Sequence, residues 1–131
     1  MSKYFKYKFK IYYEDTDLGG VVYYANYLKY LERARSEAIY SLGLTNIKLQ
    51  KDYGALIIVK SCNIEYKKPA KFEDELEVIS SVLSKTKTSF IMNQIIKRRE
   101  EIISEAEVQL VTVNKEGKPV KIPEILEKFL D

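Results

Sequence analysis

Histidine is absent from the 131 residues. That absence excludes Ser-His-Asp and Cys-His catalysis and removes the commonest metal ligand. The single cysteine, Cys62, excludes an internal disulfide, which fits a reducing compartment, and with no histidine it excludes a structural zinc site. No apolar run approaches the roughly 20 residues needed to span a bilayer. The first residues, MSKYFKYKFK, alternate lysine with aromatics and carry no apolar signal core. A cytoplasmic protein without an integral membrane segment is expected. Charge of one sign is also scarce: 22 basic residues face 19 acidic ones, a net +3. Nucleic-acid binding ordinarily needs a concentrated basic face, so no such partner is expected. Acid–base chemistry must fall to Asp, Glu, Tyr or Lys, and no metal or cofactor is called for.

The remaining composition is that of a globular protein, with 46% hydrophobic and 31% charged residues. The length suits one domain, taken as 1–131, with a real core. From Tyr4 to Tyr13, Phe5, Tyr7, Phe9, Ile11 and Tyr13 alternate with Lys6, Lys8 and Lys10, the pattern of a half-buried strand. One long helix is predicted from about Tyr24 to Leu42. At 100° per residue Tyr27, Leu31, Ala34, Ala38 and Leu42 share a face, and Gly43 follows as a C-cap. After a short connector, Ala55–Lys67 reads as a strand carrying Leu56, Ile58, Cys62 and Ile64, stopped by Pro69. Three more strands are predicted at about Glu75–Ser84, Ser89–Arg98 and Ile102–Asn114, and a short helix from Pro123 to Leu130. Four successive strands on short turns imply an antiparallel sheet, and the widely apolar helix must be largely enclosed by it, giving an α+β fold.

Residues 12–30, YYEDTDLGGVVYYANYLKY, carry the chemistry. An acidic stretch, a Gly-Gly turn and the start of a helix succeed one another. The first N–H groups of a helix lack internal partners and attract negative charge. A carboxylate that activates water, beside donors for a developing oxyanion, suffices to hydrolyse an activated ester. On spacing alone, Asp17 reads as a loop residue making an Asx-turn or supporting the helix start.

Three blocks carry a specific resemblance. The first is Tyr13-Glu14-Asp15-Thr16-Asp17 with Gly20-Val21-Val22, Tyr23-Tyr24-Ala25-Asn26-Tyr27 and Glu32-Arg33-Ala34-Arg35. The second runs from Tyr66 to Leu76, YKKPAKFEDEL, and the third from Lys85 to Phe90, KTKTSF. In this order they resemble the hydroxybenzoyl-CoA thioesterase family, and within it the YbgC-like acyl-CoA thioesterase branch. The resemblance implies the hotdog fold, a five-stranded antiparallel sheet wrapped around one long central helix. It further implies an acyl-CoA substrate and a homodimer or homotetramer with active sites at subunit interfaces. One position departs: much of that branch carries His where this chain has Tyr24, while the hydroxybenzoyl-CoA enzymes carry Tyr. A contribution from the backbone N–H, favoured here, leaves the side chain free to vary.

With the family in hand, Asp17 becomes the catalytic candidate, as general base on water or as nucleophile through a mixed anhydride. The N–H of Tyr24 would face the thioester carbonyl. Gly20, with Gly19, serves the turn and lets a ligand approach backbone, beside Val21. Asp15 is expected to share Asp17's side in an extended chain; a structural role, with Arg35 as a candidate partner, is preferred for it. Tyr23, Tyr24, Tyr27 and Tyr30 are candidates to line an acyl or aryl pocket, with ordinary core packing at least as good a reading of each. Ser61 and Asn63 flank Cys62 on a strand that runs near the acyl pocket in relatives. Cys62 itself reads as a small buried residue, not a nucleophile. Lys85, Lys87 and Ser89 are candidates to hold CoA phosphates, against the commoner solvated surface. Two other readings stand beside hydrolysis. One is a non-catalytic acyl-binding module in a partner complex; the other, weaker without histidine, is an enoyl-thioester hydratase.

Overall fold

The computed structural model describes residues 3–131; Met1 and Ser2, which open the lysine–aromatic segment, lie outside the described residues. Strand β1 spans Phe5–Lys10, β2 Leu56–Tyr66, β3 Glu75–Lys85, β4 Ser89–Arg98 and β5 Glu101–Val113. They form one antiparallel sheet in the order β1-β3-β4-β5-β2. The long helix α1, Asn26–Tyr40, buries Tyr27, Leu31, Ala34 and Ala38 of the predicted face against that sheet, with Tyr30 and Ile39 beside them. The α+β, helix-in-sheet arrangement expected from the sequence is the one observed.

The differences have local causes. The first strand stops at Lys10 rather than Tyr13, because the Asp15 carboxylate takes the Tyr12 N–H at 2.8 Å and closes a 3-10 turn over Tyr13–Asp15. Helix α1 ends at Tyr40, two residues short of Leu42, and Ser41, not Gly43, is its cap. There the Ser41 hydroxyl donates to the Ala38 carbonyl at 2.6 Å, and the chain turns away through Gly43 at φ 81°. The expected connector contains a second helix, α2, Asn46–Tyr53. Its N-cap Thr45 hydroxyl accepts the Lys48 N–H at 3.0 Å, and Gly54 closes it in the left-handed conformation at φ 63°. Only Leu49 of this helix is buried, so an apolar period was too short to announce it. The C-terminal segment is a 3-10 turn, Glu124–Leu126, followed by α3, Glu127–Leu130. Among the described residues no helix is long and apolar enough to cross a membrane.

The β2–β5 ladder contains the feature that most reorders the sequence reading. Ile57 and Val59 pair with Thr112 and Leu110, but the register then shifts past Lys60 and resumes at Ser61 opposite Gln109. The unpaired residue reverses the inward–outward phase. Beyond it Cys62, Ile64 and Tyr66 lie opposite Val108, Ala106 and Ser104, while Ser61 and Asn63 lie opposite Gln109 and Glu107. Ile58, among the apolar residues read on this strand, is 44% exposed.

The segment between β2 and β3 is fastened by an ionic cluster. Arg98 binds Asp74 at 2.6 Å and Glu101 at 2.6 Å, and Lys68 binds Glu101 at 2.7 Å. Lys68, then Arg98, hold the Glu101 carboxyl down at about 2, against an ordinary 4.5. A carboxyl whose pKa falls on folding stabilises the fold above its unfolded pKa and loses that contribution as the pH drops towards its folded one. Urea-unfolding midpoints are therefore expected to decline between about pH 4.5 and pH 2, and to decline less in Glu101→Gln. Parallel curves for the two proteins would show the cluster is too solvated to matter.

Candidate active site

Residues 16–22 fold as a miniature hairpin. Thr16 pairs with Val22, and Val21 pairs with Lys71 of the segment leading into β3. At its tip, the Asp17 Oδ1 accepts the Gly19 N–H at 2.9 Å, and the Asp17 carbonyl accepts the Gly20 N–H at 3.0 Å. Gly20 sits at φ 77°, a conformation that disfavours a side chain. Asp17 is exposed, and its second carboxylate oxygen has no partner among the described residues. The Asx-turn anticipated from spacing is thus real, and it leaves an oxygen available.

The open end of the hairpin runs into α1. The Asp15 carbonyl accepts the Tyr23 N–H at 3.1 Å and the Asn26 side-chain amide at 2.9 Å, tying the acidic loop to the helix start. The N-cap, Ala25, has no side-chain cap, and the first turn carries no acidic residue. Among the described residues the N–H groups of Tyr24 and Ala25 donate no hydrogen bond. Their direction is fixed from behind. The Tyr23 carbonyl accepts the Asn26 N–H at 2.9 Å, and the Tyr24 carbonyl accepts the Tyr66 hydroxyl at 3.2 Å. In a trans peptide the N–H points opposite the carbonyl, so both free donors point away from these anchors. The uncompensated helix start and its two free amides form an anion-attracting patch.

A groove beside this patch is lined by Val22, Tyr24, Tyr27, Tyr66, Lys68 and Pro69. Tyr66 stacks on Tyr27 at 5.1 Å and meets Tyr24 edge-on at 6.1 Å. Tyr27 is itself buried, and its hydroxyl accepts the Ala70 N–H at 3.1 Å. Burial raises the phenols of Tyr27 and Tyr66, keeping both hydroxyls protonated. Tyr66 was missed as a site residue. The YKKPAKFEDEL block containing it was recognised, but only the phase reversal at Lys60 turns its ring toward α1.

Other expected site residues lie elsewhere. Tyr30 is core, 4.6 Å from Phe9, and burial followed by the nearby Asp15 carboxylate pushes its phenol up; its buried hydroxyl makes no well-formed hydrogen bond among the described residues. Tyr23 is half exposed against Tyr24. Asp15 does not extend alongside Asp17 but caps the 3-10 turn, and it does not pair with Arg35, which bonds Gln94 at 2.9 Å instead. Cys62 is exposed rather than buried, because β2 is an edge strand with no further strand beside it. Partial desolvation raises its thiol, more than the nearby Arg35 lowers it, which disfavours a nucleophilic thiolate. Ser61 and Asn63 face away from α1, for the phase reason given above. Lys85, Lys87 and Ser89 gather at the β3–β4 hairpin. The hairpin of Asp17 adjoins Lys71, before β3 begins, so the length of β3, about 30 Å for 11 residues, separates the two groups within one chain. Lys85 is further engaged with Glu127 at 2.7 Å and Asp131 at 3.0 Å, and Ser89 shares a 2.8 Å hydroxyl contact with Thr86. Among the described residues no cluster of His, Cys, Asp and Glu is arranged to hold a metal.

Comparison with known proteins gives this geometry a lineage. A Haemophilus influenzae protein named acyl-CoA thioesterase YbgC is 36% identical over 120 residues, covering 91% of this chain and 88% of its own. The crystal structure of a probable thioesterase from Bartonella henselae superposes with a TM-score of 0.87 at 30% identity, over 92% of this chain and all of that one. A 4-hydroxybenzoyl-CoA thioesterase variant complexed with 4-hydroxybenzoyl-CoA shares the fold alone, with a TM-score of 0.90 at 18% identity over 98% of this chain and 99% of that one. The profile of the Thioesterase-like superfamily matches residues 12–130, a span that opens just before the Asp17 hairpin and takes in the helix-in-sheet body apart from β1, and the chain belongs to that superfamily.

Proposed function

We propose that the protein hydrolyses an acyl-CoA thioester to the free acid and CoA, with Asp17 as the reacting carboxylate. The observation that carries this is the tie between the Asp17 hairpin and an uncapped helix start with two amide donors that have no acceptor among the described residues. The curated relative's name, acyl-CoA thioesterase, supplies the substrate class. The thioester carbonyl oxygen sits at the Tyr24 amide, with Ala25 beside it, and those dipoles take up charge as the carbon becomes tetrahedral. As general base, Asp17 removes a proton from water while its oxygen attacks. The C–S bond then breaks, and the thiolate leaves and takes up a proton. As nucleophile, Asp17 would first attack the thioester carbon, expelling the CoA thiolate as the C–S bond breaks, to form a mixed anhydride that water hydrolyses to the free acid and the Asp17 carboxylate. Single turnover in ¹⁸O-water identifies the second route when water attacks the Asp17 carbonyl of the anhydride, which puts the label into the Asp17 carboxyl; the general-base route puts it only into the released acid. The overall test is release of free thiol from a panel of acyl-CoAs.

The backbone role assigned to the helix start gives a paired prediction. Tyr24→Phe removes a hydroxyl from an exposed ring and is expected to leave kcat within about threefold, since the amide remains. Tyr66→Phe removes the bond that orients the Tyr24 carbonyl and is expected to lower kcat about tenfold with little change in KM. Steady-state kinetics on one good substrate decides this. A large loss in Tyr24→Phe with none in Tyr66→Phe would move the chemistry onto the Tyr24 side chain.

The working unit is a homo-oligomer in this reading. Strand β2 runs 11 residues at the sheet edge with Ile58 and Val59 44% and 47% exposed, a surface that invites pairing with a second copy. Ser61, Asn63, Lys85, Lys87 and Ser89 would then serve a substrate held by another copy's Asp17. Placing a charge at this edge, Val59→Lys, is expected to weaken self-association in sedimentation velocity. Unchanged sedimentation would locate the interface elsewhere.

A further inference from the structure

A second cleft lies well along α1 from the Asp17 hairpin. It opens between α1, α2 and β2, encloses about 170 Å³, and has Arg35, Ser36 and Asn46 on its polar side. Ile57, Phe90 and Phe129 form part of its apolar wall. The Arg35 guanidinium is partly buried and has no carboxylate within ion-pair distance among the described residues. Its one hydrogen bond runs from Nη1 to Gln94 Oε1 at 2.9 Å. Gln94 is fully buried and locked in turn, donating to the Leu31 carbonyl and the Ser80 hydroxyl, both at 3.0 Å. Desolvation lowers the Arg35 pKa, yet a guanidinium stays charged in proteins. A desolvated cation held rigidly by a neutral amide, with its other donors unused at the end of an apolar cleft, lacks an anion.

We propose that this cleft is a binding site for a small apolar monocarboxylate, its carboxylate on the Arg35 fork and its hydrocarbon against Phe90 and Phe129. The planar guanidinium matches a carboxylate through two parallel N–H donors. The size limits the body of the ligand: an apolar cavity of about 150 Å³ accepts one benzene ring, so a ring or a chain of about six carbons fills this one. A carboxylic acid is also what thioester hydrolysis releases, but the site rests on Arg35 and its walls and not on that reaction. Glu32, one turn before Arg35 at the cleft's rim, is exposed and makes no ion pair with it; its charge competes with an incoming acid.

Titration calorimetry with sodium hexanoate and sodium benzoate, at constant ionic strength, tests this against the neutral hexanamide and benzamide. The wild type is expected to bind the acids saturably and at least about tenfold tighter than the amides, the usual share of one charge-assisted hydrogen bond. Arg35→Met should abolish the preference, and Glu32→Gln should strengthen acid binding a few-fold. Arg35→Lys, which keeps the charge without the fork, serves if Arg35→Met does not fold, and should retain only part of the preference. Asp17→Asn should bind the acids as the wild type does, so loss of hydrolysis and loss of this site are read separately. Methyl NMR of the wild type locates the ligand without any variant, through shifts at Ile57 and at Met92, which also lines the cleft. Equal affinity for acids and amides, absence of saturable binding, or shifts confined to the Asp17 groove would overturn the proposal.

Discussion

Asp17→Asn is expected to lower kcat/KM for acyl-CoA hydrolysis by at least about a hundredfold while leaving the fold intact. The substitution is informative because Asp17 has two jobs that separate chemically. Its Oδ1 accepts the Gly19 N–H and so builds the turn; an asparagine carbonyl oxygen accepts the same bond. What asparagine lacks is the negative charge and basicity needed to take a proton from water or to attack a carbonyl carbon. Asp17→Ala removes both functions and is expected to lose about 0.5–1.5 kcal/mol of stability as well, the ordinary worth of one exposed hydrogen bond or a little less. Thiol release from an acyl-CoA panel, beside thermal unfolding of each variant, makes the comparison. If Asp17→Asn turned over every substrate at the wild-type rate, hydrolysis through this carboxylate would be finished as an explanation.

The contrast between those variants marks what the sequence could and could not reveal. Order and type of elements, α2 apart, were legible because the two periodicities are strong: the Phe5-to-Ile11 alternation, and the Tyr27–Leu31–Ala34–Ala38 face that ends up buried under the sheet. The Asp17 turn and the helix start are contiguous in the chain, so their association followed from one stretch of residues. Features that depend on strand pairing did not. Nothing in LIIVKSCNIEY marks Lys60 as unpaired, yet that single residue turns Ser61 and Asn63 outward and Tyr66 inward. Likewise Lys85, Lys87 and Ser89 have the right chemistry for phosphate, but β3 carries them to the far end of the sheet from their own chain's Asp17. Local signals also lost where a side chain outbid the repeat, as the Asp15 carboxylate does by capping Tyr12 and ending the first strand early. Arg35, the candidate partner for Asp15, is held by another residue. The partner is a glutamine from β4, distant in sequence and neutral, which no charge-pairing rule would select.

Gln94→Leu is the substitution expected to cost the most stability, about 3 kcal/mol. The glutamine is fully buried and makes three hydrogen bonds, one accepted from Arg35 and two donated to Leu31 and Ser80. Leucine fills a similar volume, so little of the loss comes from packing. The cost arises because Arg35 keeps its charge and loses its only hydrogen-bond partner among the described residues, and the Ser80 hydroxyl loses its donor. This account makes a claim that simple loss of contacts does not. Adding Arg35→Met to Gln94→Leu removes the stranded charge and replaces a polar pair by an apolar one. The double variant is therefore expected to regain about half of the Gln94→Leu loss, roughly 1.5 kcal/mol, and the coupling between the two sites exceeds that figure by whatever Arg35→Met costs alone. Urea unfolding of the wild type, both single variants and the double variant completes the cycle. Strict additivity would mean that Arg35 finds solvent or another partner as soon as Gln94 is gone, and that its charge is not confined at the cleft.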